Sequence, residues 1–286
     1  MIVAVASGKG GTGKTLIATN LAQALGKEAQ FVDCDVEEPN GHLFLKPEIT
    51  ESREAFVPVP RVDGARCTGC GECARICRFS GIVVIGKTVL TFPELCHGCG
   101  GCVRVCPEGA VTETERPIGV VETGRSGSLS FTQGRLRVGE AMSARLIREV
   151  RALTARASIV IIDSPPGTSC PMIAAIKGAD YCVLVTEPTP FGLHDLELAL
   201  EVVQKLRIPS GVVINRAGIE DGRVRRYLEN KGVPILIELP DDRRIAEAYS
   251  RGHLIVGRFP EYEGRFHDLF FRIHAPSKES ARVAAG

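Results

Sequence analysis

A chain of 286 residues, 44% hydrophobic and 24% charged, is long enough for one large domain or two modest ones and is neither disordered nor collagen-like in balance. Its formal charge of +1, from 35 basic and 34 acidic residues, argues against a protein built to coat nucleic acid, so no specific nucleic-acid partner is expected. Eleven cysteines beside no tryptophan are the unusual feature: an odd count, with no secretory leader expected, argues against a disulfide scaffold and for metal in a reducing, cytoplasmic setting.

In chain order, residues 2–7 form the first strand candidate, an apolar run far shorter than the ~20 residues of a membrane span. SGKGGTGKT (7–15) follows at once. Gly8, Gly10 and Gly13 spell G-x-G-x-x-G with Asp33 twenty residues beyond, as a dinucleotide site would have. The same segment also completes the phosphate-loop pattern Gly8-x4-Gly13-Lys14-Thr15. Lys14 and Thr15 decide between the two. A nucleoside triphosphate needs an ammonium on its outer phosphates and a hydroxyl on Mg²⁺, and a nicotinamide site needs neither. Gly10, Gly11, Thr12 and Leu16 complete the expected cradle, with helix 14–25 pointing its N-terminus at the phosphates.

The next strand, 29–33, precedes a cysteine-rich window. Stretches 37–60 and 112–128 on either side carry Pro, Gly and Ser and read as loops bordering an insertion. Beyond them, strands at 158–163, 181–186, 211–215 and 235–239 alternate with helices at 141–153, 194–205 and 222–231. Short strands that are apolar on both faces, alternating with helices, predict an α/β fold with a doubly wound, mainly parallel sheet. In IVIIDSPPGTS (159–169), Asp163 closes a strand where Mg²⁺ needs a carboxylate, and the Gly167 amide is expected to sense the γ-phosphate.

Eight cysteines fall between Cys67 and Cys106 in an internal repeat, each of the first four recurring 29 residues later. Both copies read C-x2-C-x2-C-x3-C, the spacing of bacterial two-cluster ferredoxins, in which the fourth cysteine of each run ligates the other cluster. Cys67, Cys70, Cys73 and Cys106 are therefore assigned to one 4Fe–4S cluster, and Cys96, Cys99, Cys102 and Cys77 to a second. Structural zinc is the alternative, but it usually pairs C-x2-C hooks at wider separation. Arg78 follows Cys77 where such modules commonly have Pro, placing a cation beside one cluster and predicting unequal potentials. The expected organisation is 1–58 ATPase, 59–118 inserted small α+β ferredoxin-like domain, 119–275 ATPase, and 276–286 a flexible tail.

Lys9 beside Lys14 in KGGTGKT resembles the deviant phosphate loop of the MinD/ParA/Mrp ATPases, a family that includes the nitrogenase iron protein. FVDCD (31–35), DSPPGTS (163–169), TEPTPFGLHD (186–195) and LPDDRRIAEAYSRG (239–252) are similar to other family segments, and the likeness covers nearly all of 1–260 outside the insertion. It implies ATP as ligand and an ATP-dependent homodimer, or a heterodimer with a related ATPase, in which Lys9 reaches the partner's phosphates. It further implies that Asp35 positions the attacking water, that Asn215 reads the adenine edge, and that Arg216, Pro240 and Asp241 adjoin the nucleotide. Catalysis would then rest on Lys9, Lys14, Asp35 and Asp163.

Cys34 and Cys182 read as core thiols, and Cys170 as a packed thiol near the dimer interface. Arginines 135, 137, 145, 148, 151 and 156 form either a solvated face or a dock for an acidic redox partner. Phe266, Leu269, Phe270 and Ile273 share a helix face expected to pack on the ATPase domain rather than on a membrane. Three functions remain: ATP-coupled electron transfer to a redox or metallocluster protein, which leads; assembly or carriage of iron–sulfur or mixed-metal clusters; and positioning with a redox-sensing ferredoxin module.

Overall fold

The computed structural model describes residues 1–154, 158–218 and 222–274; Arg156 and the expected tail 276–286 lie outside the described residues. The chain forms two compact units. Unit 1 comprises Met1–Ser52, Val121–Arg135 and the chain from Ser143 on; unit 2 comprises Arg53–Val120 and Leu136–Met142.

Unit 1 opens with β1 (Ile2–Ala6), α1 (Lys14–Leu25), β2 (Ala29–Asp33) and α2 (Gly41–Leu45). β3 (Glu48–Val62) enters unit 2, followed by α3 (Glu72–Ile76), β4 (Ile82–Ile85), β5 (Thr88–Thr91) and α4 (Gly101–Arg104). β6 (Val111–Ser126) returns to unit 1, and a two-residue turn with Gly127 at φ +57° joins it to β7 (Leu129–Leu136). Unit 1 then continues through α5 (Ser143–Ala152), β8 (Ile159–Asp163), α6 (Cys170–Ile176) and β9 (Tyr181–Thr186). It ends with α7 (Pro190–Lys205), β10 (Ser210–Ala217), α8 (Arg223–Lys231), β11 (Ile235–Pro240), α9 (Arg243–Ser250) and α10 (Pro260–His274).

Among the described residues, nine strands form one sheet in the order β11-β10-β9-β1-β8-β2-β7-β6-β3, parallel from β11 through β7. The expected mainly parallel α/β sheet is therefore present. Alternate strand residues such as Val5, Phe31, Ile161 and Val183 pack with Ile17 and Leu21 of α1 and with Phe266, Leu269 and Ile273 of α10. The intervening Ala4, Ile162 and Leu184 are buried too, and α5 packs on α6 and β2. The amphipathic face of the last helix is thus core, with Phe270 partly buried against it. Among the described residues no helix is long and apolar enough to cross a membrane.

Two stretches differ from expectation. Residues 37–60 and 112–128, read as loops, hold α2 and most of the long strands β3 and β6. Pro58 and Pro60 disguised β3, yet the strand ends the sheet order, and an edge strand tolerates missing N–H donors. β6 is written in Thr and Val among charged residues, a half-exposed strand whose β-branched signal was outweighed by its Glu, Gly and Pro. Helix α7 begins four residues earlier than expected because Pro190 suits a first turn and Thr189 Oγ1 accepts the Gly192 N–H at 3.0 Å.

Phe266→Ala, at a fully buried site, is expected to cost about 3–5 kcal/mol in anaerobic urea unfolding, and Phe271→Ala, 72% exposed on the same helix, about 0.5 kcal/mol or less.

Candidate nucleotide and thiol sites

Strand order assembles the first site. Because the β1–α1–β2 crossover skips one position, β8 lies between β1 and β2. Its terminal Asp163 falls in register with both Val5 and Asp33. The phosphate loop, Asp163 and the segment after Asp33 therefore share the carboxyl edge of the sheet, where parallel α/β sheets bind ligands.

The glycines in the loop answer to geometry. Gly13, at φ +96°, caps α1, and a Cβ there would stand 2.4 Å from Asn215 Nδ2. A Cβ on Gly8 would meet the Asp195 carbonyl oxygen at 2.1 Å. Asn215 Nδ2 donates to the Thr12 carbonyl at 2.9 Å, so the residue expected at the adenine also ties β10 to the loop. Ser7 Oγ donates to the Lys9 carbonyl at 2.6 Å, and the Lys9 side chain is half-buried. The Gly167 N–H, expected to sense a γ-phosphate, donates here to the Ser7 carbonyl at 3.0 Å.

A cavity of about 360 Å³ opens over this loop. Gly10, Gly11, Gly13, Lys14, Thr15, Leu16, Asp35, Asn215, Arg216, Pro240 and Asp241 line it, whereas Gly8, Lys9, Thr12, Asp163 and Gly167 do not. Arg216 sits at φ +53° and its guanidinium pairs with Glu187 at 2.9 Å. Sequence reasoning missed Ile245, Ala246 and Tyr249 of α9, which supply an apolar wall. Their i, i+1, i+4 spacing was the available signal.

The polar floor is crowded with negative charge. Both carboxylate oxygens of Asp163 and the Thr12 hydroxyl are buried without hydrogen-bond partners. Burial pushes the Asp163 carboxyl up to about 6, although Lys14 draws it back. Asp35 is pushed up to about 7, by burial first and by Asp163, Glu38 and Glu37, with Lys14 opposing. Burial and Asp163 hold Asp33 well above the usual carboxylate range. Asp33 Oδ1 accepts the Asp35 N–H at 3.0 Å and Oδ2 the Gly41 N–H at 2.9 Å, so it shapes the loop that carries Asp35, a role sequence reasoning did not assign. An orphaned buried carboxylate beside an ammonium and the buried Thr15 forms an oxygen donor set suited to Mg²⁺.

Unit 2 gathers its cysteines into two groups. Cys67, Cys70, Cys73 and Cys106 line one cavity of about 10 Å³, and Cys77, Cys96, Cys99 and Cys102 line another of about 30 Å³. Each group takes three thiols from one repeat and the fourth from the other. The Gly98 N–H donates to Cys96 Sγ at 3.4 Å and the Ala110 N–H to Cys106 Sγ at 3.2 Å. Burial raises the thiols of Cys73, Cys96 and Cys102 above the ordinary value. It pushes Cys77 the same way, but the backbone N–H groups of residues 79–82 outweigh it and leave that thiol below the ordinary value. Among the described residues, no group of three or more His, Cys, Asp or Glu side chains is placed to hold a metal ion as it stands.

Cys34 and Cys182 are fully buried, whereas Cys170, expected to be packed, is exposed as the first residue of α6. A helix's first turn has no preceding turn to cover it. The arginine stretch is not one free face. Arg135 pairs with Glu122 at 3.1 Å, Arg145 with Glu149 at 3.8 Å, and Arg151 donates to the Lys177 carbonyl.

Gly13→Ala forces a side chain into a left-handed conformation against Asn215, and calorimetry should show nucleotide binding lost along with about 1–2 kcal/mol of stability. The raised Asp35 carboxyl means that the nucleotide-free folded state holds its proton more tightly than the unfolded chain. Stability relative to Asp35→Asn should therefore fall as pH rises from about 4 towards about 7 and level off above it, as read by anaerobic melting at each pH.

Residues 3–255 match the family model described as the CobQ/CobB/MinD/ParA nucleotide binding domain. An uncharacterised protein of Methanocaldococcus jannaschii is 31% identical over 88% of this chain and 90% of its own. An iron–sulfur cluster carrier protein of Pyrococcus furiosus is 26% identical over 89% of this chain and 78% of its own. Among solved structures, the septum site-determining protein MinD of Pyrococcus horikoshii, complexed with Mg-ADP, superposes with a TM-score of 0.59 at 21% identity, covering 94% of this chain and 93% of its own. A phosphate loop at the edge of this sheet, in a chain whose residues 3–255 match the domain model, makes the protein a member of the CobQ/CobB/MinD/ParA nucleotide-binding family.

Proposed function

We propose that the chain binds ATP and Mg²⁺ in the unit 1 cavity, hydrolyses the ATP, and couples that cycle to electron transfer through two 4Fe–4S clusters held by unit 2. One observation carries the reading: eight cysteines partition into two four-thiol cavities in a chain that also bears a complete phosphate loop.

The fit to the magnesium site rests on the orphaned Asp163 carboxylate and on Thr15 at the start of α1. Mg²⁺, when bound, neutralises charge on the phosphate oxygens. The loop amides and Lys14 hold the phosphates, Asp35 accepts from and orients the attacking water, and Asn215, Arg216, Pro240 and Asp241 adjoin the nucleoside. Lys9 completes the site across an ATP-dependent dimer of two copies, or of this chain with a related ATPase. Release of the Gly167 N–H from the Ser7 carbonyl accompanies occupation of the γ-phosphate position, and the segment 163–169 moves with it.

In unit 2, Cys67, Cys70, Cys73 and Cys106 hold one cluster and Cys77, Cys96, Cys99 and Cys102 the other. Among the described residues the buried cluster that includes these thiols is Cys73, Ile82 and Val111, with Val57, Val59 and Ile118 also buried in unit 2, a small core of the kind that a bound group staples. The acceptor is a redox or metallocluster protein. A second reading, cluster delivery, is favoured by the relatives named iron–sulfur cluster carriers.

Anaerobically prepared protein should contain about eight irons per chain with 4Fe–4S EPR signals on reduction. With an acceptor present, ATP should accelerate electron delivery while the iron stays with the chain. Iron leaving with the acceptor would establish delivery instead. Lys14→Ala should remove the ATP effect and leave both clusters, so cluster loss in that variant would break the two-module scheme.

A further inference from the structure

We propose that Tyr249 is a positioning residue for hydrolysis: through its ring, occupation of the nucleoside end of the unit 1 cavity sets the place of Asp35. This rests on the nucleotide reading above. Strand order separates the two ends. In β11-β10-β9-β1-β8-β2, the ends of β10 and β11 place Asn215 and Asp241 on one side of β1, and the end of β2 leads to Asp35 on the other. All three residues line the cavity.

Helix α9 joins the two flanks. Its Ile245 and Ala246 line the cavity, and Tyr249, one turn beyond Ile245, lines it too. The Tyr249 ring lies 4.6 Å from that of Phe44, tilted by 30°, within the range of a favourable aromatic pair. Phe44 belongs to α2, the helix that follows the loop of Asp35. It is 7% exposed, whereas Tyr249 keeps 37% of its surface open. One side of the tyrosine ring therefore rests on a buried side chain, and a ligand can press on the rest. The chain beyond α9 makes a second contact. A Cβ on Gly252 would stand 3.0 Å from the Leu43 carbonyl oxygen, so backbone lies against backbone there.

From Phe44 the connection to Asp35 is short. Three residues back is Gly41, whose N–H donates to Asp33 Oδ2 at 2.9 Å, and Oδ1 of the same carboxylate accepts the Asp35 N–H at 3.0 Å. A Cβ on Gly41 would stand 2.4 Å from the Phe31 ring, so α2 is seated directly on β2. Asp33 is fully buried, a fixed point from which α2 and the loop of Asp35 both hang. Close-packed side chains do not yield one at a time, so a ligand that moves Tyr249 moves Phe44 with it. The shift reaches Asp35 through the two N–H groups on Asp33. The contact is made by the ring, and the hydroxyl is dispensable to it.

The test uses the full chain, prepared anaerobically. Because the sequence has no tryptophan, Phe44→Trp places a lone indole behind Tyr249, at a position that does not line the cavity. Mg-ADP, which fills the nucleoside end without a γ-phosphate, should shift the emission of that indole. Adding Tyr249→Leu should remove most of the shift while calorimetry still shows Mg-ADP bound. In steady-state hydrolysis with Phe44 restored, Tyr249→Leu should lower kcat about tenfold and change the KM for ATP less than about threefold, and Tyr249→Phe should keep both near the wild-type values. An emission shift with Mg-ATP but not with Mg-ADP, a raised KM at unchanged kcat in Tyr249→Leu, or a Tyr249→Phe as slow as Tyr249→Leu would overturn the proposal. Should Phe44→Trp fail to fold, the kinetics of the two Tyr249 variants decide alone. A wild-type chain that binds neither Mg-ATP nor Mg-ADP in calorimetry, or binds without turnover, would overturn the nucleotide reading itself.

Discussion

Three neighbouring carboxyl groups with one buried ammonium set against two of them are the constraint on which unit 1 is organised. Asp163 and Asp33 face each other in register on neighbouring strands, Asp35 follows two residues on, and Lys14 is the cation that tempers Asp163 and Asp35. No side-chain rearrangement in the loop relieves this excess, because strand order fixes it. A proton relieves it, as the raised carboxyls of Asp35 and Asp163 show, and so would a ligand that brings positive charge. Such a site is organised before its ligand arrives, so little reorganisation is needed once it does.

The surroundings keep that organisation rigid. Asp33 spends both carboxylate oxygens on backbone N–H groups of the loop beyond it, and Asn215 reaches from β10 to the Thr12 carbonyl. Gly8 lies against the backbone of Asp195, so the loop rests on the first turns of α7 with no room for a side chain. Displacement of the phosphate loop would be felt in α7, and displacement of α7 in the loop.

Much of this was legible in the sequence because it is local. Lys14, Thr15 and the glycines sit in one uninterrupted motif, and the strand ending at Asp163 announces itself by four apolar residues before an acid. The cysteine groups were legible through their repeat. What escaped was what depends on place in the sheet. β3 looked like a loop because Pro58 and Pro60 forbid a central strand, and only its edge position makes them admissible. The wall of Ile245, Ala246 and Tyr249 could not be placed without knowing that α9 follows β11 at the same edge. The arginines of 135–151 looked like a face in one dimension, and folding gave three of them separate partners.

The exchange of fourth cysteines between repeats has a topological meaning. A group bridging Cys67 to Cys106 closes a ring of chain, and a group bridging Cys77 to Cys102 closes a second ring lying wholly inside the first. Closure entropy grows only with the logarithm of the free length, so the inner ring, once shut, shortens the slack that the outer one must gather. Neither repeat could be cut away and keep a complete set of four. With a group bound at each site the duplication would form a clasp of two nested loops, in which filling the inner site would ease filling the outer.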